Sequence, residues 1–228
     1  IAEKSDVIFT IVGYPEDVKH VYLGKDGVFE GLSEDKIIID MTTSTPALAI
    51  EIAEKAKELG VASLDAPVSG GDLGARNGTL SVMVGGDEEA YETVLPIIET
   101  FSGSIQLFGE AGSGQHTKMV NQIMVAGTMT GMTEMLVYAK AAGLDLEKVI
   151  QTVNGGAAQN WSLGNYASRI LKEDYSPGFF VKHFIKDLKI ALDEAENMGL
   201  DLPATQQAYE LYEKLAETGH EEDGTQAL

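Results

Sequence analysis

Three features of this 228-residue chain predict an α/β layer fold with a largely parallel sheet, followed by an all-helical second part. Short apolar runs alternate with amphipathic segments through the first half, which is the pattern of strand–helix–strand units. From about residue 113 onward only helical spacing remains. The hydrophobic share, 44% over this length, is enough for one large or two smaller cores.

Taken in order, the strands are expected at DVIFTIV (6–12), KIIIDM (36–41), VASLDAPV (61–68), LSVMVGG (80–86) and SIQLFG (104–109). Between them, TPALAIEIAEKAKELG has the marks of a helix: Thr45 as N-cap, Pro46 at the first helical position and Gly60 as the stop. GDEEAYETVLPIIETF is a second helix, with acids in its first turn where the helix dipole favours them. Residues 113–141 are expected as one long helix of roughly 40 Å, at ~1.5 Å per residue, apolar on most faces. Gly127 and Gly131 stand as G-x-x-x-G on it; they either admit a second helix closely or merely soften this one. Further helices are predicted near 145–154, 161–172, 182–198 (ended by Gly199) and 204–218. The change of pattern places a domain boundary between residues 111 and 112.

Charge and composition exclude several function classes. With 36 acidic against 16 basic residues, the net charge of −20 repels nucleic acid and anionic membrane surfaces. There is no cysteine, so disulfides, thiolate metal sites and a Cys nucleophile are excluded, and a reducing cytoplasm suits the chain. His20, His116, His183 and His220 show no metal-ligand spacing. The richest apolar stretch, 119–139, is broken by Asn121, Gln122, several threonines and Glu134, which makes it a buried helix rather than a membrane span. The chain opens on Ile1 and enters a buried-type strand almost at once, so further residues are expected upstream.

GSGQHTKMVNQ, residues 112–122, carries the densest chemistry and can be read two ways. As a phosphate loop it fails, because Lys118 is preceded by Thr117 and followed by Met119, where the P-loop needs Gly-Lys-Ser/Thr. The dinucleotide pattern G-x-G-x-x-G fails as well, since Thr117 stands where Gly or Ala is needed and no β-α-β unit follows. With Ser113 as N-cap, Lys118, Asn121 and Gln122 instead share one helix face. A cation near a helix N-terminus in apolar surroundings holds its proton less tightly, which suits an acid/base lysine; the plain alternative is a surface lysine.

Three other segments are candidates. In DAPVSGG (65–71), Gly70 and Gly71 let successive N–H groups face an anion, with the Ser69 hydroxyl as a further donor; the alternative is a plain glycine turn. DMTTSTP (40–46) stands at the C-terminal end of a strand, where open α/β sheets bind ligands, although helix capping explains part of it. HFIKDLKIAL (183–192) places Lys186 and Asp187 at a helix start, where a solvated charge pair is the plain reading.

In this order and spacing, DMTTSTP, DAPVSGG, GSGQHTKMVNQ and KDL resemble the β-hydroxyacid dehydrogenase family, which includes 3-hydroxyisobutyrate dehydrogenases and tartronate and glyoxylate/succinic semialdehyde reductases. The resemblance covers essentially the whole chain. It implies a Rossmann-type NAD(P)-binding domain, incomplete at its N-terminus, then a long interdomain helix and an all-α C-terminal domain. It implies NAD or NADP as cofactor, a small carboxylate-bearing substrate, and a homodimer or homotetramer. Carried over residue by residue, Lys118 is the general acid/base and Asn121 its companion on the substrate oxygen. Ser69, Gly70 and Gly71 bind the substrate carboxylate, while Val12, Gly13, Thr43 and Lys186 contact the cofactor. IVGYP departs from the family pattern at Gly13, where many members have Leu-Pro. The family's opening glycine-rich turn lies outside this chain, and with it the residues that select NAD or NADP. A non-catalytic module of the same fold and an imine reductase are the alternatives; the presence of Lys118 counts against both.

Overall fold

The computed structural model describes all 228 residues. They divide into two compact units, Ile1–Val120 and Asn121–Leu228.

The first unit is built on six strands: β1 (Val7–Thr10), β2 (Ile37–Asp40), β3 (Ala62–Asp65), β4 (Val68–Ser69), β5 (Leu80–Gly86) and β6 (Ser102–Leu107). The sheet runs β1-β2-β3-β5-β4, with β6 also paired to β5. The β1–β2, β2–β3 and β5–β6 pairings are parallel, whereas β5 runs antiparallel to β3 and β4, so the sheet is mixed rather than largely parallel. The reversal follows from the connection. The chain leaves β3, makes the two-residue β4 and the short helix α3 (Gly71–Asn77), and returns directly into β5 without a long crossover.

Helices α1 (Pro15–Leu23), α2 (Pro46–Glu58) and α4 (Glu88–Ile98) cover the two faces. Side chains on β2 alternate accordingly. Ile37 and Ile39 pack with Leu64, Val82 and the Val94 and Ile98 of α4, while Ile38 packs with Val18 and Tyr22 of α1 and Ile52 of α2. Burial on both faces explains the unbroken III run. The caps of α2 form as its sequence dictates: Thr45 accepts the Leu48 N–H at 3.2 Å, Pro46 occupies the first turn, and Gly60 takes the left-handed φ of 68°. For α4, the Asp87 carboxylate accepts the Ala90 N–H at 2.8 Å.

Helix α5 (Ser113–Ala141) begins in the first unit and continues into the second. The second unit adds α6 (Leu146–Val153), α7 (Trp161–Ile170), α8 (Val181–Asn197) and α9 (Pro203–Leu215). Its core joins Met129, Met132 and Leu136 of α5 to Leu163 of α7, Phe184 and Leu188 of α8 and Tyr212 of α9. Apart from an isolated bridge between Phe180 and Gly224, this unit has no strand.

Candidate active site

In the first unit the candidate residues gather at the C-terminal ends of β1, β2 and β3. Thr10, the last residue of β1, donates its hydroxyl to Asp40 Oδ1 at 3.0 Å, and its oxygen lies 2.8 Å from the Tyr22 hydroxyl. The same Asp40 oxygen accepts the Thr42 N–H at 3.1 Å, and Thr42 Oγ1 accepts the Val12 N–H at 2.9 Å. The segment holding Val12 and Gly13 is therefore tied to the segment holding Thr43. These two loops leave parallel strands side by side, which is where doubly wound sheets receive a dinucleotide. Burial pushes the Asp40 carboxyl up to about 6, against the hydrogen bonds from Thr42 and Thr10 that favour its charged form; the nearby Asp65 charge pushes the same way as burial.

Asp65, at the end of β3, explains the glycines of GSGQ. One carboxylate oxygen accepts the Gly112 N–H at 2.8 Å and the other accepts the Gln115 N–H at 2.8 Å. A carboxylate from a distant strand thus caps α5, in place of the expected Ser113, and occupies the position a phosphate would take in a nucleotide loop. Helix α5 carries no acid in its own first turn, so the anion that suits its N-terminus comes from elsewhere in the chain. Burial raises the Asp65 carboxyl, and the amides of Gly112 and Gln115 oppose that shift. Gly114 is required by close approach: a Cβ there would stand 2.5 Å from the carbonyl oxygens of Asp65 and Met83.

The same capping sets the position of Lys118. It is buried, 6% exposed, which excludes the surface-lysine alternative, and its Nζ donates to the Val68 carbonyl at 2.8 Å. Val68 and Ser69 form β4, paired with Val82 and Ser81, so the ammonium is held against the strand that leads into Ser69, Gly70 and Gly71. Gly70 (φ 129°) and Gly71 (φ 62°) both lie in the region that L side chains avoid. Gly70 precedes α3, which begins at Gly71, so the glycine turn leads directly into a short helix.

In the second unit, Asn121 and Lys186 belong to one polar chain. Asn121 Nδ2 donates to Gln122 Oε1 at 2.7 Å, and Gln122 Nε2 donates to Asp187 Oδ2 at 2.6 Å. Lys186 Nζ lies 3.1 Å from the other Asp187 oxygen. Their side chains are only 12% and 2% exposed, so the Lys186–Asp187 pair is buried rather than solvated. It sits within α8, past its first turn.

Of the residues that hold these groups in place, Asp65, Gln115 and Thr42 in the first unit are not singled out individually by the sequence, while Gln122 and Asp187 in the second stand out there only as neighbours of Asn121 and Lys186. The available signal was a carboxylate ending an apolar strand in SLDAPV, together with a helix start that lacks its own acid.

Comparison with known proteins matches residues 1–109 to the NAD binding domain of 6-phosphogluconate dehydrogenase. Residues 112–228 match the NAD-binding domain of NADP-dependent 3-hydroxyisobutyrate dehydrogenase. An uncharacterized oxidoreductase of Bacillus subtilis, YkwC, is 53% identical over 228 residues, covering 100% of this chain and 79% of that protein. The 2-hydroxy-3-oxopropionate reductase of Escherichia coli is 40% identical over 219 residues, covering 96% of this chain and 75% of that protein. Among solved structures, the 3-hydroxyisobutyrate dehydrogenase of Salmonella typhimurium superposes with a TM-score of 0.91 at 26% identity, over 99% of this chain and 79% of that one. With both segments matched in order and relatives of this identity over nearly its whole length, the chain belongs to the β-hydroxyacid dehydrogenase family and is an NAD(P)-dependent oxidoreductase of that type.

Proposed function

We propose that this enzyme interconverts a small semialdehyde carrying a carboxylate and the matching hydroxy acid, with Lys118 as the general acid/base. The observation that carries the reading is the buried Lys118 ammonium, 2.8 Å from the Val68 carbonyl and therefore beside the start of Ser69–Gly71. The names of relatives, 2-hydroxy-3-oxopropionate reductase and probable 3-hydroxyisobutyrate dehydrogenase, support short hydroxy acids as the substrate class.

A dihydronicotinamide, when bound, would supply the hydride. Lys118 delivers a proton to the carbonyl oxygen as the carbonyl carbon is reduced, and in the oxidative direction it takes the hydroxyl proton. Asn121, one helical turn further on, donates to the same oxygen. Ser69 and the amides of Gly70 and Gly71 hold the carboxylate, fixing which end of the substrate meets the lysine. Val12, Gly13 and Thr43 contact the dinucleotide, and Lys186 is a further cofactor contact. In this reading residues 1–111 are the dinucleotide part and 112–228 the helical part.

A cytoplasmic homodimer or homotetramer belongs to the same reading. Helix α5 exposes Val120, Met124 and Tyr138 on the face that holds Gly127 and Gly131, where a Cβ would meet nothing within 4 Å, so this stripe supports a self-association surface.

The test is oxidation of NADH and NADPH by the full-length protein with a panel of semialdehydes, beside aldehydes of equal length without a carboxylate. The expected result is a kcat/KM roughly 10–100-fold higher for the carboxylate series, the worth of charge-assisted hydrogen bonds of about 1.5–3 kcal/mol. Dinucleotide binding without turnover of any aldehyde would overturn the proposal in favour of a non-catalytic module. Equal turnover of both series would remove the role given to Ser69, Gly70 and Gly71.

A further inference from the structure

Gln115 is fully buried, 0% exposed, and is one of the largest side chains so enclosed. Enclosure alone would suit a methionine or leucine at lower desolvation cost. Both ends of its amide are instead committed to backbone far away in sequence: Oε1 accepts the Ser44 N–H at 2.9 Å and Nε2 donates to the Thr42 carbonyl at 2.8 Å. Taking the carbonyl of one residue and the N–H of the next but one is the bonding of a parallel β-bridge, with a side-chain amide in place of the partner's peptide. The bridged residue is Thr43. Through its own N–H, Gln115 is held by Asp65, and three residues along the same helix Lys118 is anchored on Val68, three residues beyond Asp65.

We propose that Gln115 is a positioning residue for the reaction. Its side chain locks the 42–44 segment, on the dinucleotide side, to the start of the helix that carries Lys118, so that hydride and proton are presented to the substrate in one fixed relation. The inference rests on the proposed roles of Thr43 and Lys118. All the bonds that carry it lie within the first compact unit. Only a side chain with one donor and one acceptor in planar array completes this bridge. A hydrocarbon of equal volume leaves the Ser44 N–H and the Thr42 carbonyl buried without their partner, which loosens the segment.

Gln115→Met and Gln115→Glu in the full-length protein separate positioning from packing. The first readout is the dissociation constant for NADH and NADPH by nicotinamide fluorescence, without substrate, between pH 5.5 and 8.5. Gln115→Met is expected to weaken the dinucleotide by about 10-fold or more, from the loss of two buried hydrogen bonds. Gln115→Glu reproduces both bonds when its carboxyl is protonated and loses the donor when ionised. Its affinity relative to wild type should approach one at low pH and fall as pH rises. Asp40 and Asp65, whose carboxyls burial raises, bond into this network and respond to pH in wild type as well, with the Lys118 ammonium and the Tyr22 phenol as its other charged or titratable neighbours, so the ratio of variant to wild type is the quantity read.

Wild-type affinity in both variants at every pH would overturn the proposal, as would equal weakening of both without recovery at low pH. If Gln115→Met does not fold, judged by near-ultraviolet circular dichroism, the pH dependence of the Gln115→Glu ratio decides. Wild type that binds neither dinucleotide would overturn the parent reading and this one together. Wild type that binds both normally, loses turnover in Lys118→Ala, and is indifferent to residue 115 would overturn this one alone.

Discussion

Gly114→Ala inserts one methyl group where α5 meets the sheet. The new carbon would stand 2.5 Å from the carbonyl oxygens of Asp65 and Met83 and 2.8 Å from Asp65 Oδ2, whereas ordinary contact begins at 3.4 Å. Relief requires the helix start to retreat by about 0.9 Å (3.4 − 2.5), because the opposing atoms are strand backbone. The bonds from Gly112 and Gln115 to Asp65, both 2.8 Å, would then stretch beyond hydrogen-bonding range. Overpacking costs about 1–3 kcal/mol and the lost caps add about 1–2, while the gain in helix propensity of alanine over glycine returns ~1. The net loss of about 1–4 kcal/mol corresponds to a Tm lower by roughly 2–16 °C for a chain of this size. Lys118 rides on the same turn, and a misplacement near 1 Å costs roughly 100-fold in turnover. Thermal melting and steady-state kinetics on the same preparation test both figures. A variant that melts with wild type and loses only dinucleotide affinity would refute the packing argument and restore a phosphate-loop role for GSGQ.

Two further outcomes follow from the same physics. Gly127→Ala lies on the same helix but meets nothing within 4 Å, so alanine should stabilise the isolated chain by about 0.5–1 kcal/mol, and a drop in Tm at high dilution would contradict that. Asp40, raised to about 6 from 3.8, binds a proton more tightly in the folded than in the unfolded chain, so it contributes stability at low pH that is lost as pH rises through about 4–6. The loss is about 3 kcal/mol, and Asp40→Asn should flatten that part of the profile in urea titrations; an unchanged slope would place the titration elsewhere.

The elements that the sequence makes legible are those with local signals. Helix α2 announces itself through Thr45, Pro46 and Gly60, and the III run of β2 through burial on both faces. Helix α1 was not foreseen, since Tyr14 is an unusual cap. Helix α3 was passed over because Gly71 and Gly74 are poor helix formers, and the reversal of β5 because β4 is two residues long.

The candidate site divides along the same line. Lys118, Asn121 and the Ser69–Gly71 turn stand out by residue type and spacing. The groups that hold them act across long sequence separations: Asp65 on Gly112, Gln115 on Thr42 and Ser44, Asp187 on Gln122. Such bonds link a single side chain to a remote partner and leave no periodicity to read. Composition likewise could not tell a buried Lys186–Asp187 pair from a solvated one, because burial there comes from the packing of the whole second unit.

The central claim, that Lys118 moves the proton, is tested most directly by kcat in Lys118→Ala at saturating dinucleotide and semialdehyde, with dinucleotide affinity measured in parallel. The account predicts a fall in kcat of about 100-fold or more with dinucleotide affinity within a few-fold of wild type. Turnover at the wild-type rate would contradict it.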